Sequence, residues 1–243
     1  MAGSWILTAI ESNSGSHRPA ENVKDIAAIV LAAGLSRRMG AFKPLLPFGD
    51  STVIESCINN LRAAGVEKIV VVTGYREEDV RAQLKHCPVA FALNPEPGSE
   101  MSVSIALGVG EVPDDTKAVL ITPVDHPAVP PEIIKAVIDE WRCSGVRLVQ
   151  PEYESRGGHP VLIDLSCRDE LLHLNPQTGL RSLFAKHRKQ VRRLPVSSPL
   201  VARDMDTWED YLDLHLAVFG RKPEQTSRGA FLATTNEKPP SLI

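Results

Sequence analysis

The chain has little of what several common protein classes require. Its 243 residues include four cysteines, Cys57, Cys87, Cys143 and Cys167, none in C-x-x-C spacing. That pattern excludes a zinc knuckle or an adjacent redox pair, so the cysteines read as reduced, mostly packed thiols. There is no basic excess. Lysine and arginine number 27 against 30 aspartates and glutamates, for a net charge of −3. This argues against sequence-independent nucleic-acid binding, which needs a cationic surface. No apolar run approaches the roughly 20 residues of a spanning helix. The run Trp5–Ile10 is too short for a secretory core and lacks a basic flank. The expectation is therefore a cytoplasmic protein with neither nucleic acid nor membrane among its partners. No internal repeat and no long low-complexity linker divide the chain.

What remains is an ordinary globular composition, 43% hydrophobic and 23% charged. Residues 1–22 read as a flexible leader and 220–243 as a flexible tail, which leaves a single domain over 23–219. Within it, short apolar runs alternate with amphipathic stretches. Strands are predicted at Ile26–Leu31, Lys68–Thr73, Val89–Leu93 and Ala118–Thr122. Helices are predicted at Asp50–Ala64, Glu77–Lys85, Ser102–Val109 and Pro131–Ser144. Thr52 and Glu55 have capping-box spacing, and Gly65 provides a stop. Near-continuous apolar strands separated by helices imply a mostly parallel, doubly wound α/β sheet, Rossmann-like, with helices on both faces. Ligands then belong at the carboxyl ends of the strands. The later runs Leu148–Gln150, Val161–Ile163 and Val191–Val196 are less regular and allow strands of mixed direction.

The first strand runs into Leu31-Ala32-Ala33-Gly34-Leu35-Ser36-Arg37-Arg38-Met39-Gly40, followed by Phe42-Lys43-Pro44-Leu45-Leu46. This is neither the dinucleotide fingerprint nor a P-loop. It has the same physical ingredients, however. Small residues at 32–34 let a ligand approach the backbone, whose free amides can face phosphate oxygens. Arg37, Arg38 and Lys43 place three cations within seven residues, with no acidic residue among them.

Two acidic positions suit a hard cation. Asp125, in Thr122-Pro123-Val124-Asp125-His126-Pro127, stands just past a strand end, where a carboxylate can hold Mg²⁺ against substrate phosphates. It is equally a good turn former. Asp204-Met205-Asp206-Thr207-Trp208-Glu209-Asp210 precedes a helical stripe of Trp208, Tyr211, Leu212, His215, Leu216 and Phe219. Thr207 and Asp210 there have capping-box spacing, so helix capping alone accounts for this cluster.

The string Leu-Ala-Ala-Gly-x-Ser-x-Arg-Met-Gly, then Lys-x-Leu-Leu, resembles the signature of nucleotidyltransferases with a MobA-like fold. It is most similar to the molybdenum-cofactor cytidylyltransferase branch, over about 26–219. The resemblance implies a nucleotide-diphospho-sugar transferase-like fold in which Leu31, Ala32, Ala33 and Gly34 wrap a nucleoside triphosphate, and Arg38 and Lys43 hold its phosphates. Guanylyl-transferring relatives usually carry Gly where Ala33 stands, so the likeness points to CTP. The family places metal-binding aspartates where Asp125 and Asp206 stand, with Asp204 the alternative to the second, and Mg²⁺ as the cofactor. His126 takes the place of the usual Gln or Met and is expected to pack or to line the substrate site. The family's Asn and Gly-Met-x-x-Ser segment corresponds to Asn94, Met101 and Ser104, and it contacts nucleotide. Glu100 replaces the Gly, adding a negative charge near the polyphosphate path. On the acceptor side, Gly158, His159 and Pro160 match a Gly-x-Pro element, and Gly179 and Arg181 a glycine-rich segment.

The resemblance thus implies an enzyme that moves CMP from CTP to the terminal phosphate of molybdenum-loaded molybdopterin and releases pyrophosphate. A molybdenum hydroxylase would be the downstream partner. The attacking group, a phosphate monoester with a second pKa near 6, is largely ionised at neutral pH and needs no general base. Two alternatives remain: cytidylyl or uridylyl transfer to a sugar or polyol phosphate, and a non-catalytic cofactor-binding chaperone.

Overall fold

The computed structural model describes residues 23–223. The expected leader, 1–22, and the tail beyond 223 lie outside the described residues. Strands β1 (Ile26–Leu31), β4 (Lys68–Thr73), β5 (Ala90–Leu93), β6 (Ala118–Pro123), β7 (Leu148–Tyr153), β9 (Val161–Asp164) and β10 (Val191–Pro195) form the main sheet, in the order β10-β7-β9-β6-β1-β4-β5. β1 pairs parallel with β4 and β6, β4 with β5, and β7 with β10. β9 is inserted antiparallel between β6 and β7, so the mixed direction expected of the later half falls chiefly on this strand. The short β8 (Arg156–Gly157) folds back on β7.

β1 and β6 are buried at every position. This is the signature of central parallel strands covered on both faces. One apolar cluster joins one face of the sheet to α1 (Val53–Ala63), α4 (Pro131–Ser144) and α7 (Trp208–Phe219). The other joins the opposite face to α3 (Met101–Gly110), α5 (Arg168–Leu172) and α6 (Leu180–Lys186). α2 (Glu77–Gln83) buries Val80 in the first cluster. Gly108 lets α3 lie close to the sheet, since a β-carbon there would stand 2.6 Å from Ile29. Among the described residues no helix is long and apolar enough to cross a membrane.

The helix expected from Asp50 begins at Val53 instead. The preceding residues form a hairpin of β2 (Pro47–Phe48) and β3 (Ser51–Thr52), turning at Gly49 with φ +66°. Both capping boxes form, Thr52 with Glu55 and Thr207 with Asp210. Each anchors a helix start by about 1 kcal/mol. The cysteines are unpaired thiols, with Cys57 and Cys167 buried, Cys87 half-buried and Cys143 exposed.

Candidate active site

The carboxyl ends of β1 and β6 open into a cavity of about 290 Å³, lined by Leu31, Ala32, Ala33, Gly34, Lys43, Ser104 and Asp125 among others. The first turn is held there by backbone bonds: Ala32 N donates to Val72 O at 2.9 Å, and Val124 N to Leu31 O at 3.0 Å. Gly74, at the end of β4, permits this approach. A β-carbon on it would lie 2.9 Å from the Ala33 carbonyl oxygen. Ser36 adopts φ +51° and its hydroxyl accepts from Lys43 N at 3.2 Å, while Gly40 N donates to Ser36 O. The turn therefore folds back on itself and directs Lys43 inward, where the residue is buried.

Asp206 arrives from the far end of the chain. Met205 N donates to Asp125 O at 3.2 Å, tying the two acidic loops together through the backbone. Asp210 Oδ2 accepts from the Asp206 and Thr207 amides at 3.2 and 2.8 Å, which fixes the backbone next to the Asp206 side chain. The Lys43 ammonium then lies 3.1 Å from Asp206 Oδ1 and 3.5 Å from Asp125 Oδ2. Arg38, exposed, reaches Asp206 Oδ2 at 2.8 Å. In this structure the two cations expected at the phosphates are thus paired with the acidic residues expected at the metal. Asp206, not the exposed Asp204, makes these contacts.

The donor set fits a hard divalent cation. Both carboxylates face the Lys43 ammonium, Asp206 is also paired with the exposed Arg38, and Asp125 Oδ1 is buried with no hydrogen-bond partner; His126 Nε2, at 3.6 Å, is beyond hydrogen-bond reach. Oxygen-only donors at partly solvated positions suit Mg²⁺ or Mn²⁺ over softer metals. His126 is buried and packs on His159, ring centroids 4.7 Å apart. Burial holds both imidazoles below the ordinary histidine range, His159 down to about 4.

Other predicted residues sit differently. Asn94 is buried behind the cavity wall. Its amide donates to Ser99 Oγ at 3.0 Å and Ser104 Oγ at 2.9 Å, and its oxygen accepts from Glu96 N at 2.9 Å. Its side-chain amide is engaged in ordering the 94–104 loop, and it is not among the residues that line the first cavity. Glu100 lines a second cavity of about 780 Å³, away from the first turn. His159 and Arg181 line that second cavity as well, and Met101 borders both. Gly158 and Pro160 face inward: a β-carbon on Gly158 would lie 2.4 Å from Val201 O, and Pro160 packs near Cys57 and His126. Sequence reasoning missed Gln150, Phe184 and Arg193 on this second cavity, where Arg193 donates to Gln150 Oε1 and stacks over Phe184. They come from strands and a helix without a local motif, so only the three-dimensional packing identifies them.

Residues 28–191 match the MobA-like NTP transferase domain. The molybdenum cofactor cytidylyltransferase of Escherichia coli K12 is 25% identical over 190 residues, covering 77% of this chain and 94% of its own. The nicotine blue oxidoreductase of Paenarthrobacter nicotinovorans is equally similar, 25% over 194 residues, covering 76% and 93%. Among solved structures, Rv0371c of Mycobacterium tuberculosis H37Rv in complex with manganese superposes with a TM-score of 0.68 at 27% identity, covering 80% of this chain and 100% of that one.

Proposed function

The chain belongs to the MobA-like NTP transferase family, and from that premise we propose that it is a cytidylyltransferase of molybdenum-loaded molybdopterin, using CTP and Mg²⁺ and releasing pyrophosphate. The observation that carries the proposal is the meeting of Lys43, Asp125 and Asp206 at the rim of a turn built for close backbone approach. Supporting it, the E. coli relative carries the same activity by name over most of both chains.

In this reading Ala32, Ala33 and Gly34 admit the nucleotide against the backbone, and Ser104 borders it. Asp125 and Asp206 would hold Mg²⁺, which when bound neutralises phosphoryl charge. Lys43 and Arg38 are the cations beside the turn and stabilise the negative charge that grows on the departing pyrophosphate. The acceptor phosphate lies toward the second cavity, where Arg181 and His159 supply polar contacts. It attacks the α-phosphorus, its oxygen forming the new P–O bond as the bond to pyrophosphate breaks. Being already ionised, it asks of the protein alignment and no proton acceptor.

The test is pyrophosphate release and dinucleotide formation with each nucleoside triphosphate, Mg²⁺ and molybdenum cofactor. Turnover with CTP and cofactor is expected. Turnover only with sugar or polyol phosphates, or binding of the cofactor without any pyrophosphate, overturns the assignment.

A further inference from the structure

At the opposite end of β6 from Asp125 lies a second cluster of chemically active groups. Asp164, which ends β9, pairs with Ala118 at the start of β6. The chain continues into a turn bearing Cys167 and then α5 bearing Glu170, and His187 caps the end of α6. Cys167 is fully buried, and the His187 side chain is only 10% exposed. Donor atoms of all three residues lie within 4.8 Å of one another.

The arrangement converges on a point. His187 Nε2 stands 2.9 and 3.1 Å from the Glu170 oxygens and 3.9 Å from Cys167 Sγ. A proton relay would place its partners on different ring nitrogens, as in a catalytic triad. Here one nitrogen faces both, and it has one proton at most to give. Three lone-pair donors thus surround a common space. Thiol sulfur, imidazole nitrogen and carboxylate oxygen are the ligand types of zinc. With metal–ligand bonds of roughly 2.0–2.3 Å, neighbouring ligands of a tetrahedral site stand roughly 3.5 Å apart. The observed separations bracket that value. Lys186 draws Glu170 Oε2 at 2.8 Å, leaving the other oxygen for a metal.

We propose that Cys167, Glu170 and His187 form a binding site for a zinc-class divalent cation, separate from the Asp125–Asp206 site, with a fourth position open to water on the Glu170 side. Burial, with Glu170 nearby, raises the Cys167 thiol, so metal uptake displaces a proton from it. The ion would fasten the end of α6, which carries Arg181 and Phe184 on the second cavity. The site thereby ties metal occupancy to the wall of that cavity. It does not depend on which substrate the cavity takes.

Cobalt titration of the metal-stripped full-length chain tests it, because Co²⁺ replaces Zn²⁺ and reports a thiolate ligand by a charge-transfer absorption. One cobalt per chain with that absorption is expected, in the wild type and in an Asp125→Asn, Asp206→Asn variant alike. Cys167→Ser and His187→Gln should each abolish it. Equimolar Zn²⁺ should displace the cobalt, whereas a hundredfold excess of Mg²⁺ should not. His187→Gln, at the edge of the cluster, keeps the test decisive if Cys167→Ser does not fold. Absence of the thiolate absorption in folded wild type, or its survival in either variant, overturns the proposal.

Discussion

Lys43 and Asp206 are 163 positions apart in sequence, yet their ammonium and carboxylate meet at 3.1 Å. The same ammonium stands 3.5 Å from Asp125. Lys43 supplies positive charge to both neighbouring carboxylates, and Arg38 adds a second contact to Asp206 at 2.8 Å. A divalent cation must compete with Lys43 for the same oxygens. Lys43→Ala is therefore expected to bind Mn²⁺ more tightly in the absence of nucleotide, by roughly ten- to a hundredfold if a charge-assisted contact worth about 1.5–3 kcal/mol is relieved. Turnover should fall on the order of 10²-fold or more in the same variant, as when a preorganised charge donor is lost. Free Mn²⁺ measured by electron paramagnetic resonance separates the two effects. Weaker Mn²⁺ binding in the variant would contradict the competition.

The Thr207–Asp210 capping box does two things at once. It starts α7, and through Asp210 Oδ2 it fixes the Asp206 amide. Thr207→Ala is expected to cost about 1 kcal/mol of stability, or a few degrees of melting temperature. It should also weaken metal binding by loosening Asp206, and Thr207→Ser, which keeps the hydroxyl, should restore both. Unchanged Mn²⁺ affinity beside a lowered melting temperature would restrict the box to helix capping.

Gly74 supports the first turn from the neighbouring strand. A methyl group there meets backbone at 2.9 Å, which does not yield as a side-chain tip would. Gly74→Ala is expected to push the 32–34 turn outward, costing about 1–3 kcal/mol of stability as other overpacking changes do. Nucleotide affinity should fall with it. Equilibrium binding of CTP to the folded variant is the measurement, and wild-type affinity would refute this role.

In the parallel half of the sheet β1, β4 and β6 were legible because they are buried almost throughout and read as continuous apolar runs, whereas β5, at the edge, has Ala90 and Leu93 exposed. Lys68–Thr73 and Pro131–Ser144 form with the bounds expected. The β2–β3 hairpin was not, since two-residue strands carry no periodicity and Gly49 alone marks the turn. Nor was the antiparallel insertion of β9, a property of chain path that local pattern does not record. Asp125 was readable from its place after a strand, and Asp206 from the family motif. Asn94 shows the limit: a motif identifies the residue, but only packing reveals that its amide is engaged with Ser99 and Ser104. The nearness of Cys167 to His187 depends on how α5 and α6 dock, and no spacing in the sequence announces it.

The His126–His159 imidazole pair makes stability depend on pH. His159 Nδ1 has neither water contact nor hydrogen-bond partner, and burial lowers its pKa from 6.5 to about 4. Above pH 6.5 the ring is neutral in folded and unfolded chains alike, and the contribution is fully present. As pH falls from 6.5 toward 4, the unfolded chain takes up a proton that the folded one refuses, so stability falls through that window. His126, shifted in the same direction by burial, adds to the slope. For His159 the loss amounts to roughly 3 kcal/mol in full, at about 1.36 kcal/mol per pH unit over the shift from 6.5 to about 4. Melting temperatures recorded from pH 8 to 4 should therefore decline more steeply in the wild type than in His159→Gln, which has no proton to accept. The variant starts lower at pH 8 if the His126–His159 stacking contact stabilises the fold, so the slope and not the absolute value is diagnostic. Parallel slopes would mean that other groups, not this ring, govern the acid limb.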